Sequence, residues 1–324
     1  MAAEPVPLVI VGGGRWGRVW AKVASGARGT GDGVTLVARS NADETRAWKS
    51  EESGIDGLEV CASLEAALEC RPAAAIVATR PRDHAADAMA AMANGLDVLV
   101  EKPIADTARQ GREMLEAAER GRRLLAIGTE FAFLPAFHFC AQLLGAQEGV
   151  AAASLIWDDP AGETRHGDIK RQHDDIGVLA DLLPHAYSIF RIFAGGKTLR
   201  IGDFEENAGG QSGWIRMGDE MGAAYELKCN QRAKERRRIL EVEARTGTAR
   251  VDFASNHPEV TVNGVACSNP GTAEFTSPLR LELGAFFAES AGAIDNAPTS
   301  DCLGELLALQ EVLEGRWVSA PQAV

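Results

Sequence analysis

Short, continuously apolar runs alternate with helical patterns along the first 127 residues. Leu8–Val11 is apolar throughout, meets a glycine cluster, and gives way to an amphipathic stretch over residues 16–25. Further apolar runs lie at residues 34–38, 73–79, 97–100 and 124–127. Helical patterns separate them at residues 43–52, 63–70, 84–94 and 107–120, with stops at Asn94-Gly95 and Gly121. Strands that are apolar on both faces, with helices between them, predict a parallel sheet covered on both sides. After Gly128 the rhythm changes. Alternating strand candidates at residues 151–157, 199–204, 213–217, 222–228, 239–244, 249–253 and 259–262 follow one another without intervening helices. They predict an α+β domain with a large, open, mostly antiparallel sheet. Helices flank it at residues 135–144, 181–193, 279–295 and 302–314, and the basic run 232–238 reads as a solvated loop at a strand edge.

The chain of 324 residues is about twice the usual length of one domain, and its 46% hydrophobic and 24% charged content is that of a globular protein. A net charge of −13 argues against a general nucleic-acid binder, which needs a basic face. No apolar run is long enough to span a membrane, and residues 1–7 lack the basic start of a secretion signal. Six cysteines at 61, 70, 140, 229, 267 and 302 show neither CxxC nor another metal-site spacing. Scattered thiols of this kind fit the cytoplasm, with neither a disulfide framework nor a metal site expected.

Gly12-Gly13-Gly14-Arg15-Trp16-Gly17 follows the first strand and opens the first helix, the context a G-x-G-x-x-G phosphate cradle requires. Gly12 allows the tight turn, Gly14 the approach of a pyrophosphate, and Gly17 close packing of helix on strand. The expected division is therefore a dinucleotide-binding Rossmann domain over residues 1–127 and a substrate-binding, oligomerising α+β domain over residues 128–324. The second strand ends Val37-Ala38-Arg39-Ser40-Asn41, without the acid that holds the ribose 2′-hydroxyl in NAD sites. Arg39 offers a planar fork and Ser40 a hydroxyl to a 2′-phosphate. NADP(H) is the expected cofactor, with NAD(H) as the alternative.

Lysine is scarce, seven among 33 basic residues, yet Lys102 stands at the carboxyl end of an apolar strand in Glu101-Lys102-Pro103. Ligands collect at that edge of an open α/β sheet. By spacing alone, an ion pair of Lys102 with Glu101 or another carboxylate and a contact with substrate are equal alternatives. Asp181 and His185 stand at i, i+4, so on a helix they share a face, and such a carboxylate can orient an imidazole. Pro184 within that stretch belongs in a helix's first turn or at a kink. His84, His138, His166, His173 and His257 have no comparable partner.

Together these motifs resemble the glucose–fructose oxidoreductase / inositol 2-dehydrogenase (GFO/IDH/MocA) family. The resemblance rests on the cradle, on Ala78-Thr79-Arg80-Pro81 through Val100-Glu101-Lys102-Pro103, and on Gly177-x-Leu179-x-Asp181-x-x-x-His185. It implies hydride transfer between the nicotinamide and a carbon bearing a hydroxyl or carbonyl, in a sugar-like or nucleotide-sugar substrate. Lys102 would then bridge substrate and cofactor ribose, His185 would exchange the proton, and Asp181 would orient His185 or bind a neighbouring hydroxyl. Glu101, Thr79 and Pro81 would line the nicotinamide-ribose side.

Two departures make the pocket less polar than a free-sugar site. Glu130-Phe131-Ala132-Phe133-Leu134-Pro135 lacks an arginine found in many relatives, and Ala186 follows His185 where another acid is common. Reduction of a C=N or C=C bond, as in imine and biliverdin reductases, is the alternative activity, and a non-catalytic NADP-sensing protein is a third reading. The uncovered sheet face predicts a homodimer or higher homo-oligomer.

Overall fold

The computed structural model describes residues 6–28, 33–55, 57–146, 149–162, 164–165, 168–169, 176–207, 209–268 and 277–319, with only the backbone at 164–165, 168–169 and 316–319. His166 and His173 lie outside the described residues. Two compact units are present, residues 1–129 with 279–307, and residues 130–278 with 308–324.

In the first unit, β1 (Leu8–Val11), β2 (Val34–Val37), β4 (Ala74–Val77) and β5 (Asp97–Val100) are the short apolar runs of the sequence. Every residue of β1, β2 and β4 is buried, because helices cover both faces of the sheet. With β3 (Glu59–Cys61) and β6 (Leu125–Ile127), they form a parallel sheet of order β3-β2-β1-β4-β5-β6. The helices are α1 (Arg15–Arg28), α2 (Ala42–Glu51), α3 (Leu64–Leu68), α4 (Pro81–Ala93) and α5 (Ala108–Gly121). Thr107 and Gln110 close a capping box at the start of α5. Gly121, expected as its stop, lies inside the helix, and Arg122 takes the left-handed position at φ 50°.

The order reverses at β1, whose neighbours are β2 and β4. The crevice beyond the carboxyl ends of these strands is the topological switch point.

Three later helices follow: α8 (Pro278–Ser290), α9 (Pro298–Asp301) and α10 (Leu303–Ser319). The sequence division at 127/128 assigns them all to the second half, yet residues 279–307 pack in the first unit. Leu283 and Phe286 enter the core with Leu8, Ile10, Trp20, Leu36 and Ile76. Glu282, fully buried, accepts the Thr129 backbone N–H.

The second unit holds a short 3-10 turn at Glu130–Phe133, α6 (Pro135–Leu143), α7 (Val178–Phe193) and an eight-stranded sheet. Its strands are β7 (Val150–Pro160), β10 (Arg200–Glu206), β11 (Ser212–Gly218), β12 (Ala224–Ala233), β13 (Arg237–Ala244), β14 (Gly247–Asp252), β15 (Glu259–Val262) and β16 (Val265–Cys267). β8 (Thr164–Arg165) and β9 (Asp168–Ile169) pair separately. The order is β10-β11-β12-β7-β13-β14-β15-β16, antiparallel except where β12 runs parallel to β7. α7 packs on β7, β11 and β12, and α6 on β14 and β15. Along β7, Ala153, Leu155, Trp157 and Asp159 are buried and alternate with half-exposed neighbours.

The basic run departs from its solvated reading. Arg238 is only 4% exposed, on the inner face of β13, and pairs with Asp159 at 3.1 Å. A buried guanidinium requires such a partner.

Candidate active site

The turn after β1 is tightly built. Gly12 has φ +127°, and a Cβ there would lie 2.5 Å from the Ala78 carbonyl oxygen. A Cβ on Gly17 would lie 1.6 Å from the carbonyl oxygen of Gly12, so α1 starts against the strand only because that side chain is absent. The carbonyl of Gly13 accepts from Asn41 Nδ2 at 2.9 Å, Arg18 Nε at 3.2 Å and Thr45 Oγ1 at 3.4 Å. Gly14 differs from all of these. It is exposed, and a Cβ there would meet nothing within 4 Å. The loop is thus locked on its protein side and open at Gly14, ahead of the N-terminus of α1, whose first residues are Arg15 and Trp16. This fits a pyrophosphate cradle.

Arg39 and Ser40 are exposed immediately beyond β2. Arg39 Nη2 donates to Asp87 Oδ1 on α4, and Thr79 Oγ1, just past β4, donates to Asp87 Oδ2 at 2.8 Å. Pro81 is the first residue of α4. Beyond β5, buried Glu101 accepts from the Trp20 indole N–H at 2.7 Å and from the backbone N–H of Lys102 at 3.2 Å. Lys102 is half-buried and precedes a cis peptide bond to Pro103. His84 ties two of these loops together: its Nδ1 lies 2.8 Å from the Pro103 carbonyl oxygen and its Nε2 3.2 Å from that of Thr79. Burial holds the His84 pKa below its ordinary value, so the ring is neutral at pH 7. A neutral imidazole carries one N–H and donates to only one of these carbonyls.

In the second unit α7 carries Asp181 and His185 and continues through Pro184. Glu206 on β10 accepts the Leu179 N–H at 2.9 Å, satisfying a donor in the first turn of α7. Burial is the larger influence on Glu206 and pushes its carboxyl up. Asp181 accepts from Gln231 Nε2 on β12 at 3.3 Å.

His185 is 7% exposed and stacks parallel to Trp157, with ring centroids 5.6 Å apart. Phe131 meets its edge at 5.0 Å and also meets Trp157 at 5.1 Å. The Arg238 guanidinium lies 4.2 Å from the centre of the Trp157 ring, and Trp157 Nε1 donates to Asp159 at 3.3 Å. An imidazole held on an aromatic wall, backed by a buried ion pair, has a fixed orientation and a dry surrounding. All six cysteines are free, and burial pushes the Cys140 and Cys229 thiols up to about 12, which keeps these two protonated and unreactive.

Residues 6–129 match the family model described as an oxidoreductase family with an NAD-binding Rossmann fold, GFO/IDH/MocA. The match spans the Rossmann domain of the chain. Solved structures extend the fold likeness across both units. GenD2 from gentamicin A biosynthesis, solved with NAD, is 20% identical, with a TM-score of 0.76 over 99% of this chain and 96% of that one. UDP-N-acetylglucosamine 3-dehydrogenase GnnA from Acidithiobacillus ferrooxidans is 20% identical, with a TM-score of 0.73 over 94% and 96%. A mutant of KijD10, a 3-ketoreductase from Actinomadura kijaniata, solved with TDP-benzene and NADP, is 14% identical, with a TM-score of 0.74 over 96% and 98%. No curated protein sequence matches.

Residues 6–129 carry the NAD-binding Rossmann fold of this oxidoreductase family, within the first unit. The residues expected there from sequence (Gly12, Gly14, Arg15, Trp16, Gly17, Arg39, Ser40, Thr79, Pro81, Glu101 and Lys102) all lie at or beyond the carboxyl ends of β1, β2, β4 and β5. Asp181 and His185 share α7 in the second unit. Sequence reasoning missed Asp87, His84, Trp157, Asp159, Arg238 and Gln231. Each acts through a partner distant in the chain or unremarkable in spacing. Arg238 and Asp159 are 79 positions apart, and Asp87 is one acid inside an otherwise ordinary helix.

Proposed function

We propose that this oxidoreductase prefers NADP(H) and interconverts a carbonyl and a hydroxyl on a sugar-like or nucleotide-sugar substrate. The observation that carries the reading is His185 on its aromatic wall, presented by a helix of the unit that lacks the cradle. Gly12, Gly14, Gly17 and the start of α1 would hold the pyrophosphate, Arg39 and Ser40 the 2′-phosphate, and Thr79, Pro81 and Glu101 the nicotinamide-ribose side. When bound, the nicotinamide supplies the two-electron donor or acceptor. In reduction, an N–H of the His185 imidazolium gives the balancing proton to the substrate oxygen, and in oxidation the neutral ring takes it back. The Lys102 ammonium donates a hydrogen bond to the substrate oxygen and favours its negative charge. Asp181 orients the imidazole or binds a neighbouring hydroxyl.

The likenesses to a nucleotide-sugar 3-dehydrogenase and a 3-ketoreductase support this substrate class. Phe131 and Trp157, packed on His185 and in turn on Phe253, favour a second reading in which a flatter substrate is reduced at C=N or C=C. Oxidation of NADPH followed at 340 nm over keto-sugars, keto-nucleotide-sugars, cyclic imines and enones separates the two. Turnover is expected on the keto-nucleotide-sugars or keto-sugars. Turnover confined to imines or enones would replace the first reading with the second.

The outer face of the eight-stranded sheet supports a homodimer. A concavity of about 730 Å³ lies on it, with Ala152, Ser154, Ala224, Glu226, Glu241 and Arg250 among its lining residues. A two-fold axis can set acids against bases across such a face. Light scattering at micromolar concentration is expected to give at least a dimer, and a monomer would contradict this. Among the described residues, no helix is long and apolar enough to cross a membrane. Six free thiols support the cytoplasm as its compartment.

A further inference from the structure

The second strand lacks the carboxylate that an NAD site presents to the ribose, yet a carboxylate stands beside Arg39 all the same. It comes from α4 rather than β2. Asp87 is buried, its side chain only 8% exposed, while the Arg39 side chain is 51% exposed. Both oxygens of Asp87 are engaged, Oδ1 by the Arg39 guanidinium and Oδ2 by the Thr79 hydroxyl at 2.8 Å. Thr79 holds the carboxylate still, so in this pair the arginine is the partner free to turn. A buried carboxylate is weakly screened by solvent, so its charge is felt by any anion that approaches Arg39.

We propose that Asp87 sets the cofactor choice of this protein, as a built-in competitor for Arg39 that opposes the 2′-phosphate. This rests on the reading of Arg39 as the 2′-phosphate ligand and deepens it. A phosphate arriving at Arg39 displaces or shares a guanidinium already neutralised by Asp87, and it meets the carboxylate beyond. A ribose 2′-hydroxyl meets no such repulsion and can donate to a carboxylate, so NADH remains a competent ligand. Preference for NADPH is thereby held below what Arg39 alone would give.

The test is direct binding and needs no substrate. Dissociation constants for NADPH and NADH are measured by fluorescence titration on the full chain, for the unaltered protein, Asp87→Asn, Arg39→Ala and the double variant. Asp87→Asn keeps the shape and an oxygen for Thr79 but removes the charge. It is expected to tighten NADPH about tenfold, as one charge-assisted hydrogen bond is restored in full, and to leave NADH within about twofold. Arg39→Ala leaves Asp87 facing the phosphate, and NADPH should then bind at least about tenfold more weakly than NADH. In that background the second change, Asp87→Asn, should recover part of the NADPH affinity.

A ratio of the two affinities that stays constant or falls in Asp87→Asn would overturn the proposal. A fall confined to the Arg39 background would mark Asp87 as a residue that aims the guanidinium. If Asp87→Asn lacks a cooperative melting transition, Arg39→Ala decides alone, because equal affinities there would show that the carboxylate exerts no repulsion. Failure of the unaltered protein to bind either cofactor is a different result, and it would sink the cofactor reading itself.

Discussion

His185→Ala should lower kcat by about 10²–10⁴ on the true substrate, the usual loss when a general acid is removed. NADPH affinity should stay the same, because the cradle at residues 12–17 belongs to the other unit. The alanine also empties a space beside Trp157 and Phe131, so a melting curve must accompany the kinetics. His185→Gln keeps polar bulk at the position and should be nearly as slow while melting close to the unaltered protein. Lys102→Ala should reduce both turnover and substrate affinity, since its ammonium is assigned to the substrate oxygen. The comparison variant is His173→Ala, a histidine without a carboxylate four residues before it. Near-normal turnover in His185→Ala together with its loss in His173→Ala would show that the proton is carried elsewhere.

The second large effect belongs to the cradle, where neighbouring glycines should behave in opposite ways. Gly17→Ala drives a Cβ to 1.6 Å from the Gly12 carbonyl oxygen, so backbone must move against backbone and α1 must lift from β1. A loss of about 2–3 kcal/mol of stability is expected, at the upper end for overpacking, with dinucleotide binding abolished. At Gly14 a Cβ meets no protein atom within 4 Å. Gly14→Ala should therefore melt like the unaltered protein and still bind NADPH at least about tenfold more weakly, because on the proposed reading the methyl would stand where the pyrophosphate approaches the backbone. Thermal melts and fluorescence titrations of both variants check the pair. Equal binding losses with equal stability losses would mean that the open side of Gly14 does not face the cofactor.

The elements most legible in the sequence are those whose burial is complete and local. Leu8–Val11 and Asp97–Val100 are strands over the residues expected, because the apolar runs Leu8–Val11 and Val98–Val100 leave no face for water. Glu59–Cys61 escaped notice because an edge strand of three partly exposed residues has no such signature. The cradle was legible for the same local reason, since turn, close packing and helix start all lie within six residues. The surroundings of His185 were not legible. Its i, i+4 relation to Asp181 is a helical periodicity, but Trp157 and Arg238 reach it through sheet register, in which Arg238 stands opposite Trp157. Nothing near residue 238 indicates that one arginine of a charged run turns inward while Arg237 beside it stays exposed. The Arg39–Asp87 pair was hidden likewise, its members 48 positions apart on different elements.

The return of residues 279–307 to the first unit bears on how the chain is made. Thr129 waits for Glu282, 153 positions later, and the core around Leu8 and Trp20 waits for Leu283 and Phe286. On a ribosome adding about 5–20 residues per second, that interval lasts roughly 8–30 s. During it the N-terminal sheet has emerged but one side of its core is still unmade. The N-terminal unit is thus completed only after residues 130–278 have been synthesised, and a fragment cut at residue 129 would carry an apolar gap where α8 belongs. A self-sufficient cofactor-binding piece would need residues 279–307 joined back to it by a linker.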